Sequence, residues 1–230
     1  TYENLKYEFL TIIANKFRNP LTQMKWIEET ILEKEKDPYT VENMKSLAQS
    51  NQGLISLTGT LIELTDSAHT SLATYKFERI NICELANKVV EEMKKDFHVK
   101  NLFFGIQCSA REIFAKADRS RLEFVIQTLL ENSIHYSPTG RNVDISVKAE
   151  HHKAFIEVTD RGIGIDRIDM QSIFTKFFRA ANARAMDTEG FGVGLFLAQS
   201  VMKRHKGKIE AYSAGIDQGS TFTVVLPLSK

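Results

Sequence analysis

Asp160-Arg161-Gly162-Ile163-Gly164-Ile165 is the stretch on which the reading of the fold turns. It follows directly on Ala154 to Thr159, whose alternation of apolar and polar residues reads as a half-buried strand. A carboxylate at a strand end, followed by two glycines, makes a tight turn with an acceptor held at its mouth. Alone it is as much a loop as a site. Two further stretches change that. Upstream, Leu129-Leu130-Glu131-Asn132-Ser133 continues to His135 and Tyr136 on a helix that Asp118 can cap and Pro138-Thr139-Gly140 stops. Downstream, Gly190-Phe191-Gly192-Val193-Gly194-Leu195 opens a helix expected from about Phe191 to His205. Glycines at a helix start expose backbone amides where the dipole places roughly half a positive charge.

Around these stretches the region from residue 73 onward reads as strands with interspersed helices. Strands are expected at Phe77 to Ile82, Leu102 to Cys108, Glu112 to Ala115, Val143 to Ala149, Lys208 to Tyr212 and Ser220 to Leu226, with a helix from Ile82 to Phe97. The strand at Val143 pairs with that at Ala154 as a hairpin. The fold class is α+β, and residues 73–230 form a two-layer α/β sandwich. Residues 1–72 read as two long helices broken at Asp37-Pro38-Tyr39-Thr40, with Thr40 and Asn43 opening the second. Such a hairpin cannot bury both sides of its apolar stripes alone. The expected solution is a dimeric four-helix bundle, the alternative being a docking surface for the second domain.

The 230 residues are 43% hydrophobic and 26% charged, ordinary for a globular protein. A formal net charge of +1 gives no reason to invoke nucleic acid or a membrane surface. No apolar run approaches the roughly 20 residues that span a bilayer. The chain opens on Thr1, without a leader-like stretch, and is read as a piece of a longer protein. Cys83 and Cys108 are too few and scattered for a metal site or a disulfide framework and fit a reducing cytosol. His69, His98, His151, His152 and His205 fit no ligand spacing and are expected at the surface.

In their order and spacing, the three stretches resemble the N, G1 and G2 boxes of the Bergerat-type ATP fold. That fold is shared by histidine kinases, type II topoisomerases, heat-shock chaperone ATPases and mismatch-repair ATPases. Ile173-Phe174-Thr175-Lys176-Phe177-Phe178-Arg179 resembles the F-box particular to histidine kinases, and Gly219-Ser220-Thr221-Phe222 their closing strand. The resemblance implies ATP and Mg²⁺ as ligands. Asp160 would accept the adenine amino group, with Gly162 and Gly164 letting backbone approach the ring. Asn132 would offer Mg²⁺ a neutral oxygen. Gly190, Gly192 and Gly194 would face the phosphates, and Arg179 the γ-phosphate. His135, Tyr136, Phe174, Leu195 and Thr221 complete the implied nucleotide contacts, and residues 180–189 a mobile lid. Thr128 stands where the hydrolytic branches place a glutamate base, which argues against a topoisomerase-like or chaperone-like ATPase.

Near the N-terminus, Phe9, Ile13, Phe17, Leu21 and Met24 form one apolar stripe on a helix that carries Pro20. Ile12 to Leu21 resembles the H-box of sensor histidine kinases, (A/S)-H-E-(L/F)-R-(T/N)-P-L. At the family's phosphate-accepting histidine this chain has Asn15, and at the following acidic residue Lys16. An amide is a very poor nucleophile, and a charged lysine cannot take the acidic residue's part. The resemblance therefore implies a transmitter core with a normal ATP site and a lost autophosphorylation step. It also implies a homodimer, a response-regulator receiver domain as partner, a cytoplasmic location and a parent anchored in the inner membrane. The alternatives are a non-enzymatic nucleotide-binding scaffold, a pseudokinase, or a response-regulator phosphatase using Asn19, four residues after the acceptor position.

Overall fold

The computed structural model describes residues 17, 19–48, 50, 51, 54, 58, 75–186 and 192–229. The chain divides into two units, Thr1–Ser71 and Leu72–Lys230.

In the first unit, helix α1 spans 19–32 and helix α2 spans 38–48, with 50, 51, 54 and 58 also helical. Asp37, rather than the expected Thr40, caps α2. Its Oδ2 accepts from the Thr40 amide at 2.9 Å and hydroxyl at 2.7 Å. Pro38 takes the first helical position, where its missing N–H leaves no bond unmade. Leu21 and Glu28 are buried on α1. Asn51 reaches across from the second helix and donates to Leu21 O and to Glu28 Oε2, both at 3.1 Å. Phe17, and Met24, Ile27 and Ile31 of α1, are exposed, as are Leu47 and Leu54 on the second helix.

The second unit opens with β1 (Phe77–Asn81), α3 (Ile82–Glu92), α4 (Lys94–Val99), β2 (Phe103–Cys108) and β3 (Phe114–Asp118). It continues with α5 (Arg119–Tyr136), β4 (Asn142–Glu150), β5 (Lys153–Asp160), α6 (Ala181–Met186), α7 (Gly194–Arg204), β6 (Lys208–Tyr212) and β7 (Ser220–Pro227). The main sheet runs β2-β4-β5-β7-β6, parallel between β2 and β4 and antiparallel elsewhere. β1 and β3 pair as a separate two-stranded ribbon.

Alternation sets the layers. Val143, Ile145 and Val147 of β4, Ile156 and Val158 of β5, and Phe222 and Val224 of β7 point into the core with Leu85, Leu122, Ile126, Leu129 and Met202 from the helices. The opposite face keeps half-buried polar residues such as Ser146, Glu157, Thr159 and Thr223. The result is a mixed sheet with helices on one face. The helix expected from Ile82 to Phe97 breaks at Met93, so that buried Phe97 turns into the core on α4. Asp118 caps α5 through the Arg121 amide at 3.1 Å, and extended Ser137, preceding Pro138, ends it. No helix among the described residues is long and apolar enough to cross a membrane.

Two expectations are corrected here. Cys83 and Cys108 form a disulfide, because the first turn of α3 lies beside the end of edge strand β2, a proximity that their spacing in sequence does not show. His205 is buried rather than on the surface. Its Nε2 accepts from the Asp118 amide at 2.9 Å, and its Nδ1–H donates to Val201 O at 2.8 Å, under the rings of Tyr75 and Phe77. Burial lowers its pKa below the ordinary 6.5. The Val201 carbonyl and Asp118 pull upward, and Arg121 pulls down. A depressed pKa contributes stability that is present above the unfolded value and lost as pH falls through the folded one. Thermal melts are thus expected to show the protein losing stability as pH drops below 6.5, with His205→Gln weakening that dependence.

Candidate functional site

β5 lies between β4 and β7, and its last residue, Asp160, stands opposite Val143 on one side and Ser220 on the other. Asp160 is 5% exposed. Its Oδ1 accepts from the Gly162 amide at 2.8 Å and the Ser220 amide at 3.1 Å, and its Oδ2 from the Ser220 hydroxyl at 2.6 Å. Burial pushes the carboxyl above its ordinary 3.8, and these three hydrogen bonds draw it partly back. Ser220 is thus a functional neighbour that the motif reading missed. Thr221, expected at the site, places its hydroxyl 3.0 Å from that of Thr159. The strand register would have found Ser220, since it faces Asp160 directly.

The turn after Asp160 is held from several sides. The Ile163 amide donates to Tyr136 O at 3.0 Å, the Asp217 amide to Ile163 O at 2.8 Å, and the Ile165 amide to Ser213 Oγ at 3.0 Å. Gly164 has φ +64°, and a Cβ there would collide with the Gly215 carbonyl. Glycine at this position answers the protein's own packing.

On α5, Thr128, Asn132 and Tyr136 follow at a spacing of four along one side. Thr128 is buried with its methyl beside the Cα of Gly194, where α7 begins. The Asn132 Nδ2 is buried with no hydrogen-bond partner among the described residues. A buried amide left this way is a polar group facing a place that a ligand can fill. Tyr136 takes part through its carbonyl. His135 is exposed, its carbonyl 3.5 Å from Lys100 Nζ. Glu131 accepts from Gln127 at 2.8 Å and faces His135 and Asp96. It lies off the Thr128–Asn132 side, and burial raises its carboxyl pKa.

Past the turn, Phe174 and Leu195 pack against the core. The first part of the expected lid is a short helix, α6, because Arg184 and Arg179 knit it together. The Arg184 Nε donates to Arg179 O at 2.9 Å, and the Arg179 guanidinium to Ala183 O at 3.2 Å. Gly192 has φ +66° against the carbonyl of Phe178, where a Cβ would clash. Asp160, Gly162, Gly164, Asn132, Tyr136, Gly194 and Leu195 therefore belong to the end of β5, the last turns of α5 and the start of α7. Gly190, Asn15 and Lys16 lie outside the described residues, as do 187–189 of the expected lid. Asn19 is exposed on α1 of the first unit.

Residues 117–230 match the family described as "Histidine kinase-, DNA gyrase B-, and HSP90-like ATPase". Residues 117–230 are thus similar to the ATPase domains of this family. The chain is 30% identical over 228 residues to the sensor-like histidine kinase SenX3 of Mycolicibacterium smegmatis, covering 98% of this chain and 58% of that protein. It is 28% identical over 228 residues to the sensor histidine kinase WalK of Bacillus subtilis, covering 96% of this chain and 36% of WalK. The chain thus spans little more than half of one relative and about a third of the other. Among solved structures, full-length ShkA in complex with AMPPNP superposes with a TM-score of 0.75 at 20% identity, over 97% of this chain and 46% of that one. The Acinetobacter baumannii histidine kinase AdeS gives 0.64 at 20%, over 94% and 98%. Both are likenesses of fold alone.

The buried Asp160 at the end of β5 has a raised pKa, so its favourable contribution is present below the unfolded value and is lost as pH rises through the folded one. Asp160→Asn is therefore expected to melt higher than the parent near neutral pH. The difference should shrink as pH falls toward about 4, as read by thermal melts between about pH 4 and 8.

Proposed function

We propose that the chain is the transmitter core of a sensor histidine kinase, binding Mg-ATP at the Asp160 turn and defective in autophosphorylation as written. The observation that carries the reading is the Asp160 carboxylate. It is fixed at a strand end by the Ser220 hydroxyl and the Gly162 and Ser220 amides, beside a helix whose Asn132 Nδ2 is buried with no hydrogen-bond partner among the described residues. A fixed carboxylate in a dry site suits the amino group of adenine. Asn132 would hold Mg²⁺ through its Oδ1 together with phosphate oxygens, its buried Nδ2 being free to donate to a phosphate oxygen, and the ion would supply charge neutralisation for the triphosphate. The amides of Gly192 and Gly194, just before and at the start of α7, would receive the phosphates together with that of Gly190, which lies outside the described residues, with Arg179 on the terminal one and His135 and Tyr136 at the end of α5. Phe174 and Leu195 give apolar support, and Thr221 braces the closing strand.

The first unit supplies the acceptor helix in this reading. Its exposed Phe17, Met24, Ile27 and Ile31 support a homodimer through a four-helix bundle. The partner downstream is a response-regulator receiver domain, and the parent protein is read as anchored in the inner membrane with this part in the cytoplasm. Asn15 and Lys16 replace the nucleophile and its acidic neighbour, which leaves ATP bound without an acceptor. Asn19, exposed on α1, favours a second reading as a response-regulator phosphatase.

Incubation with γ-labelled ATP tests the first reading. The chain as given is expected to stay unlabelled, and Asn15→His/Lys16→Glu to gain acid-labile label. Label on the original chain, or none on a double variant that still binds ATP, defeats the dead-acceptor account. For the second reading, the chain is expected to speed loss of phosphate from a phosphorylated receiver domain, and Asn19→Ala to slow that reaction several-fold.

A further inference from the structure

We propose that Asn182 is a positioning residue of the nucleotide site, its side-chain amide tying the Arg179-bearing segment to the turn that reads the base. The inference rests on the ATP reading above. Asn182 is the second residue of α6. Its Nδ2 donates to Gly164 O at 3.0 Å and to Ile163 O at 3.3 Å. Its Oδ1 accepts from the Ala183 amide at 2.9 Å, which fixes the orientation of the side-chain amide. Within the same segment the Arg179 guanidinium holds Ala183 O, and Arg184 holds Arg179 O. Arg179 to Arg184 is therefore one hydrogen-bonded piece, joined to residues 163 and 164 through the Asn182 amide.

The joint is asymmetric. The turn keeps its shape by bonds of its own: Ile163 to Tyr136, Asp217 to Ile163, Ile165 to Ser213, and Gly164 seated on Gly215. The helix α6 is six residues long and exposed over much of its surface, so it has little packing of its own to place it. Loss of the Asn182 amide leaves the base-reading turn in place and releases the segment that carries Arg179. The effect falls on the triphosphate end of the nucleotide, as lost pre-organisation of Arg179, while the base contact persists. Asn182→Asp keeps the size and presents a carboxylate to two carbonyls, so it opens the same joint without removing bulk.

The test titrates N-methylanthraniloyl ATP and N-methylanthraniloyl adenosine, each with Mg²⁺, into the full chain and its variants. Asn182→Ala and Asn182→Asp are expected to bind the triphosphate roughly tenfold more weakly, and the nucleoside within about twofold of the parent. In an Arg179→Ala background the Asn182→Ala change is expected to add less than about twofold. Melting temperatures taken alongside separate a loss of fold from a loss of positioning. Unchanged triphosphate affinity in both variants overturns the proposal. So does an equal loss for nucleoside and triphosphate, or a full effect without Arg179. An unaltered chain that binds neither probe overturns the ATP reading itself, and this inference with it.

Discussion

A carboxylate buried at the end of a central strand is the constraint on which the nucleotide end of the domain is built. A charge out of water is tolerable only with hydrogen bonds around it. Asp160 cannot swing to solvent, because β5 is clamped between β4 and β7. The partners must come to it. Ser220 does so as the facing residue of β7, with both amide and hydroxyl, and the Gly162 amide does so because the chain turns back at once. That sharp return forces the turn onto the Tyr136 carbonyl at the end of α5 and onto the 213–219 connection between β6 and β7. Strand, turn and helix end are thus fixed together by the satisfaction of one side chain.

The same logic explains what was legible in the sequence. Strands β4, β5, β6 and β7 were visible because one face of each is buried and alternation is a local signal. Both ends of α5 were visible because Asp118 and Pro138 act on their own neighbours. The Asp160 turn, the Asn132 helix and the glycines before α7 were visible because side-chain chemistry and spacing survive without a fold. What stayed hidden depends on residues far apart in the chain. His205 has no periodic marker of burial, and its partner amide belongs to Asp118. The disulfide needs the α3 and β2 ends side by side. Ser220 needed the β5–β7 register, and Asn182 needed the carbonyls of a turn 18 and 19 residues earlier. The start of α2 was misread for a local reason: Asp37 and Thr40 are both good cap residues, and Pro38 decides between them only through its fit at the first helical position.

The covalent and the chemical features of the second unit lie at different levels of its sheet. Asp160 pairs at Val143, whereas Cys108 pairs at Val147, four residues further along the same strand. The cross-link steadies the edge strand β2 and the first turn of α3, while the hydrogen bonds of the turn steady the site. The disulfide and the hydrogen bonds of the site therefore brace different levels of the sheet.

In the first unit, the contact between Glu28 and Asn51 bears on how the two helices can move. Both side chains are only 4% exposed, and they meet across the seam between the helices. Sliding one helix along the other by a turn, about 5.4 Å, would pull the pair apart and leave a buried carboxylate without its amide. Such an orphan costs several kcal/mol, of the order of a domain's whole stability margin. A full-turn axial slide is thereby disfavoured, and small tilts that keep the pair within hydrogen-bond reach are the motion left to the hairpin.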